Sequence, residues 1–298
     1  MPSEQLLGPL SALLSSVTWA VGVSAYTEMA RHHPAHAINM SCALVAAPLF
    51  ALMAWLSGDS FTVSNYQLLM LTLSIISSYS FGDVLFLWAA RTIGIPTALA
   101  IASSYPLWSA LVGWGVRGEQ MALSGWGGLL LLILSVATVI RTGASQSPND
   151  LPSRDYWKGI LCSLAVSLLW SLNTYSVSEG STGLSSAASN TIRMTLGIFL
   201  CPLIGIPLTG RKEIFLPWKM VKKYSWVFFF EGFGGSLFYA YGLVHSSLAT
   251  GSALSSLSPI LTVPLVIWQG KERFSWIRAL AIVGVILGAW ILVSATSN

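Results

Sequence analysis

Charge is what this chain has least of. Only 9% of its 298 residues are Asp, Glu, Lys or Arg, whereas soluble domains carry about 25%. Set against 54% hydrophobic side chains, that is too little polarity to wet the surface of a soluble globule. A soluble domain, a disordered chain and a nucleic-acid binder are therefore excluded, and an integral membrane protein is what remains. Cysteine is scarce too. Cys42, Cys162 and Cys201 are odd in number, far apart and set in apolar runs, which fits neither a disulfide framework nor a zinc site. No basic residue precedes Arg31, so the positive start of a secretory signal peptide is missing and the first apolar run is expected to stay in the mature chain. No phosphate-binding glycine loop, ATP-binding domain or nucleophile–base pair is seen. That reading leaves no enzyme and no cofactor, and it makes a gradient or an exchange the source of energy.

A spanning helix needs about 20 mainly apolar residues. Ten such runs can be read, at about 7–30, 35–56, 66–90, 95–116, 122–140, 157–178, 184–207, 223–244, 250–269 and 275–294. Two longer connections, Arg141 to Tyr156 and Leu208 to Lys222, are the largest polar stretches, and neither is long enough for a soluble domain. Thirteen of the fifteen basic residues fall in connections after odd-numbered spans: Arg31, Arg91, Arg141, Arg154, Lys158, Arg211, Lys212, Lys219, Lys222, Lys223, Lys271, Arg273 and Arg278. The opposite face holds only Arg117, and Arg193 lies inside the seventh span. Basic residues of short loops stay in the cytoplasm, so this bias places both termini outside.

The second half repeats the first. At an offset of 153, Gly82 meets Gly235, Phe86 meets Tyr239, Trp88 meets Tyr241, Thr97 meets Thr250, Ser103 meets Ser256, Pro106 meets Pro259 and Glu119 meets Glu272. At 151, Trp19 meets Trp170, Glu28 meets Glu179 and Asn39 meets Asn190. A small insertion between the second and third spans accounts for the step. The chain divides into a first repeat at 1–141, a linker at 142–156 and a second repeat at 157–298. Five spans is an odd number, so the two copies insert upside down relative to each other. Inverted repeats enclose a midplane site and can rock about it. The expected fold is thus an all-α membrane protein of ten transmembrane helices, two inverted five-helix repeats around a central cavity.

A serine-rich stretch running into proline (Ser103 to Pro106, and Ser255 to Pro259), with a glutamate closing each segment (Glu119, Glu272), resembles the EamA family of the drug/metabolite transporter superfamily. The resemblance covers residues 7–294. It implies a cavity lined by spans 1, 3, 4, 6, 8 and 9, export of amino acids or similar small metabolites, and termini in the cytoplasm, the reverse of the charge reading.

Several residues inside the spans are candidates for the substrate path. Asp83, Glu231 and Arg193 are ionisable at depth, where each costs at least ~2.5–3.5 kcal/mol on insertion scales, so they should face the bundle interior. A carboxylate there can carry a proton or read a substrate amine; alternatively Arg193 pairs with a carboxylate to neutralise itself, or Glu231 is hydrated near the interface. Tyr79 lies one turn before Asp83 on the same face. Pro106 and Pro259 are read as mid-helix hinges that free the carbonyls of Ala102 and Ser255; a structural kink satisfied by neighbouring serines is the other possibility. Ser103 and Ser256 accompany them. Trp19, Trp170, Trp88, Tyr105, Tyr239 and Tyr241 form an aromatic set suited to stacking or cation–π contact, although packing suits any one of them. Trp55, Trp126, Trp157, Trp218 and Trp276 read as interfacial anchors, and Asn39 and Asn190 as interhelical glue. Gly284 and Gly288 form a close-packing face. His32 and His36 flank Pro34 without a carboxylate, which is no metal site, and the glycosylation pattern at Asn39–Ser41 lies within a span.

The function this predicts is a secondary transporter that moves a small organic solute by alternating access, with proton or exchange coupling and the lipid bilayer as its surroundings. It would be a multi-pass protein of the plasma membrane, or of an organelle membrane in a eukaryote. A passive channel shares the same lining. Sugar phosphates and nucleotide sugars fit less well, because their anionic groups call for several buried Lys or Arg and only Arg193 is present. The orientation is testable: single cysteines placed between Arg211 and Lys223 should react with an impermeant reagent only from the cytoplasmic side, and labelling from outside would reverse the charge assignment.

Overall fold

The structure is a computed structural model that describes residues 2–120, 122–144, 153–259, 261, 262, 268 and 275–296. The described chain is helical, and seven of its continuous runs are long and apolar enough to cross a membrane by length and composition. In chain order the elements are α1 (Pro2–Met29), α2 (Ala35–Ser57), α3 (Asn65–Ile75), α4 (Asp83–Ile93), α5 (Ile95–Ala102), α6 (Tyr105–Arg117), α7 (Leu123–Ala144), α8 (Ser153–Gly180), α9 (Ser186–Thr209), α10 (Trp218–Val227), α11 (Ser236–Val244), α12 (Leu248–Ser255) and α13 (Trp276–Thr296). Most of the linker expected over 142–156 lies outside the described residues, as do Lys271, Glu272, Arg273 and most of the ninth span beyond Thr262.

Two spans are continuous only through a π turn. Ile76–Gly82 joins α3 to α4, and Phe228–Gly235 joins α10 to α11. These turns fall at the same place in the two repeats, since residues 76 and 82 plus the offset of 153 give 229 and 235. The fourth and ninth spans share another irregularity. Ser103 and Ser104 both have ψ near 0° (3° and 0°), which ends α5, and α6 restarts at Tyr105. In the second repeat α12 ends at Ser255, and a turn over Ser256–Ser258 leads to Pro259.

This corrects the proline reading. Pro106 does not sit inside a helix with its ring against the Ala102 carbonyl. It occupies the first turn of α6, where its missing N–H leaves no bond unmade. The span is broken rather than kinked, and the two serines make the break.

Helix contacts obey the repeat symmetry. The second span (α2) packs on the seventh (α9), and the fifth (α7) on the tenth (α13). The first span packs on the eighth as the sixth packs on the third, and α6 meets α12 across the middle. Exchanging each span with the one five places later leaves this pattern unchanged, as expected for two inverted repeats. Glycines permit the closest approaches. A Cβ on Gly82 would lie 3.0 Å from Trp170 Nε1, and one on its mate Gly235 would lie 2.5 Å from Thr18 Oγ1. So the sixth and first spans lie hard against the π turns of the third and eighth.

Gly284 and Gly288 are used inside the molecule. A Cβ on Gly288 would stand 2.7 Å from the Gly128 carbonyl and 2.9 Å from Leu132 N, so this face of α13 is covered by α7. Apolar side chains on the outer surface, such as Phe199, Leu203, Phe229 and Trp290, are exposed, as helices facing lipid require. The anchors Trp55, Trp157, Trp218 and Trp276 are exposed as well, at 57–75%. Gly288→Leu is expected to cost about 1–3 kcal/mol through overpacking against α7, with Gly288→Ala intermediate. Thermal unfolding in detergent should show that order, and unchanged melting in both variants would remove this contact from the fold.

Candidate functional site

A cavity of about 130 Å³ lies between the repeats. At about 30 Å³ per water it has room for roughly four waters, or for a solute portion of about six non-hydrogen atoms. Its walls are Ser15 and Trp19 from the first span, Ser78, Tyr79 and Asp83 from the third, Ser103 and Tyr105 from the fourth, and Trp170 and Asn173 from the sixth. Arg193 from the seventh, Glu231, Gly235, Ser236 and Tyr239 from the eighth, and Ser255 and Ser258 from the ninth complete it.

The π turns bring the charged residues to this cavity and free backbone groups beside them. The Asp83 N–H reaches back five residues to the Ser78 carbonyl, bypassing the Tyr79 carbonyl that an α-helix would use. Asn39 takes up that carbonyl, donating to it at 2.8 Å and to Asp83 Oδ2 at 3.0 Å. In the second repeat the Ser236 N–H reaches the Glu231 carbonyl, and Asn190 donates to the Ser236 carbonyl at 3.0 Å. The paired asparagines thus clamp the second span to the third, and the seventh to the eighth.

None of the three ionisable groups has a charged partner among the described residues. Asp83 is held by the Asn39 amide. Glu231, half-buried in the second π turn, accepts 2.7 Å from the Tyr26 hydroxyl. Arg193 is 3% exposed and donates to Ser74 Oγ at 2.9 Å, Asn190 Oδ1 at 2.7 Å and, at a long 3.4 Å, Asn173 Oδ1. It enters no ion pair among the described residues, which rejects self-neutralisation by a carboxylate. Glu231 likewise lies in the middle of its span, on the cavity, rather than near the interface.

Trp19 and Trp170 meet edge to face, with ring centroids 5.8 Å apart and planes at 88°. Phe86 and Tyr105 pack on Trp170 at 5.2 and 6.2 Å, giving one end of the cavity an aromatic wall. Trp19 Nε1 and Ser103 Oγ are buried without a hydrogen-bond partner among the described residues, so both donors are available to whatever occupies the space.

Of the residues picked from sequence, Trp19, Tyr79, Asp83, Ser103, Tyr105, Trp170, Arg193, Glu231 and Tyr239 line the cavity together. Trp88, Tyr241 and Ser256 do not. Trp88 packs on the core beside the first span. Tyr241 comes two residues after Tyr239, on the other side of a helix, and its ring stacks on His245 at 4.0 Å. Ser256 turns its hydroxyl back to the Ala253 carbonyl at 2.8 Å. Pro106 and Pro259 are buried beside the cavity rather than in its wall.

Six polar lining residues went unmarked: Ser15, Ser78, Asn173, Ser236, Ser255 and Ser258. Helical spacing from marked residues would have found Ser15, four before Trp19, and Asn173, three after Trp170. The repeat offset would have found two more, since Ser78 is the mate of Glu231 and Ser236 the mate of Asp83. The seventh span, absent from the lining that the family resemblance implied, enters through Arg193.

Comparison with known proteins agrees with this architecture. Residues 6–141 and 157–294 each match the EamA-like transporter family. An uncharacterized transporter of Archaeoglobus fulgidus is 21% identical over 146 residues. That alignment takes in 49% of this chain and 52% of that protein, so the chain spans about half the length of this relative. A solved crystal structure superposes with a TM-score of 0.67 at 17% identity, covering 97% of this chain and 98% of the other, a likeness of fold. With both halves matched, the chain belongs to the EamA-like transporter family and is a multi-pass membrane protein.

Proposed function

We propose that the chain is a secondary carrier that moves a small organic solute through the midplane cavity by alternating access. The amino acids and metabolites of similar size are its substrate class, and export is its direction. The observation that carries this reading is a cavity lined by both repeats, with a few polar and ionisable groups set in a mainly apolar wall, flanked in each repeat by a π turn and a helix break at matching positions. Irregular backbone at membrane depth is tolerated where it lines a cavity or is buried in protein, and repeats of opposite orientation give a cavity two routes related by a pseudo-two-fold axis. On this reading the halves 1–141 and 157–298 rock against each other, with the breaks at Ser103–Ser104 and Ser256–Ser258 as flexing points. Room for about six non-hydrogen atoms and a single guanidinium argue against sugar phosphates and nucleotide sugars.

Saturable counterflow of amino acids or small amines in proteoliposomes supports a carrier; flux that neither saturates nor shows counterflow would mean a channel and sink the proposal. Coupling is tested separately. Asp83 and Glu231 face the cavity without a cationic partner, Asp83 beside Asn39 and Tyr79, Glu231 beside Tyr26, with Arg193 on the same lining. Either carboxylate can carry a counter-proton. Export should then rise as the pH falls on the receiving side. Asp83→Asn or Glu231→Gln, whichever removes the carrier of the proton, should abolish that rise and lower net export roughly tenfold, while solute–solute exchange persists. A pH response intact in both variants would exclude the carboxylates from coupling.

A further inference from the structure

Buried charges in a membrane interior face one another or a wet cavity, and they pair where they can. In this cavity they do not pair. Arg193, Asp83 and Glu231 share one lining, yet each is bonded only to neutral groups. The guanidinium has five N–H donors, and its bonds to Ser74, Asn190 and Asn173 account for three. One N–H on each terminal nitrogen remains for a further acceptor, and the residue lines the cavity.

The groups around the guanidinium hold it in place. Asn190, which accepts from it, is tied to the eighth span through the Ser236 carbonyl, and Asn173 donates to the Tyr239 hydroxyl at 3.1 Å. A fixed cation and two fixed carboxylates therefore stand in one small chamber without touching, an arrangement that a solute with charges of both signs completes.

Resting on the reading of this cavity as the substrate chamber, we infer that Arg193 is a specificity-determining residue that binds the carboxylate of a zwitterionic solute, whose ammonium is received by Asp83 or Glu231. Two carboxylates against one guanidinium exclude dianions by repulsion. A simple amine leaves the guanidinium uncompensated and is bound more weakly. The planar fork of arginine, which matches a carboxylate with two parallel bonds, makes lysine an imperfect substitute.

The test uses purified full-length protein in proteoliposomes and measures inhibition of exchange, and ligand-induced thermal shift, by leucine and phenylalanine, each compared with its amide and its decarboxylated amine. The wild type is expected to prefer the acids roughly 10- to 100-fold, the scale of a charge-assisted bidentate contact. Arg193→Gln should remove that preference by weakening the acids and tightening the amines, which no longer face an uncompensated guanidinium, with Arg193→Lys in between. Because the amines still bind, a folding defect is distinguishable from lost recognition. An undiminished preference in Arg193→Gln, no preference in the wild type, or no binding of either acid would each overturn the assignment. Ser103→Trp fills the chamber from a lining position whose hydroxyl has no hydrogen-bond partner among the described residues, and it should stop exchange of every solute while the protein still melts cooperatively. Should exchange continue in that variant, the chamber reading itself fails, whatever Arg193 does.

Discussion

In hydrocarbon a backbone carbonyl or a charge has no water to turn to, and the interior of this protein is arranged around that constraint. The carbonyl bypassed by the first π turn is the clearest instance. Tyr79 loses its helical partner, and Asn39, from a neighbouring span, supplies the replacement at 2.8 Å while also holding Asp83. One side chain thus supports the irregular backbone, fixes the acid and joins two spans. Asn190 does comparable work in the second repeat, holding Arg193 with one end of its amide and the Ser236 carbonyl with the other.

The scaffold is duplicated, but the chemistry placed on it is not. Both repeats have the π turn, the break in the fourth or ninth span, the clamping asparagine and the central tryptophan. The charged residues appear once each. Asp83 is matched by Ser236, Glu231 by Ser78, and Arg193, at the offset of 151, by Cys42. A symmetric cavity would set identical charges against each other, which a low-dielectric interior penalises heavily. Symmetry therefore provides the two-sided frame for movement, and the departures from it give the cavity distinct groups for recognition and coupling.

Much of this was legible in one dimension. Apolar runs of spanning length, an internal offset that holds across many positions, and charges too costly to leave in lipid all leave marks in the sequence, because each reflects a local transfer cost. Asp83, Glu231 and Arg193 were found from the cost of burying charge, and Trp19 and Trp170 from the repeat. Trp88, Tyr241 and Ser256 were misplaced because a repeat match says that two residues are equivalent, not that either faces inward; a difference of one or two positions around a helix decides that. The proline reading failed because residue type alone cannot separate a ring inside a helix from one in its first turn, a choice made at Ser103 and Ser104.

By itself, then, the sequence determined that the chain lives in a bilayer, that it is a doubled bundle, and which ionisable residues lie at depth, since hydrophobicity and internal repetition are properties of the chain read in order. Only the tertiary structure decided that the two repeats bring those charges to one chamber, that Arg193 meets amides instead of a carboxylate, and that the glycines of the last span are spent on α7. Those outcomes depend on the direction of side chains from different spans meeting at the midplane, and no linear pattern carries that information.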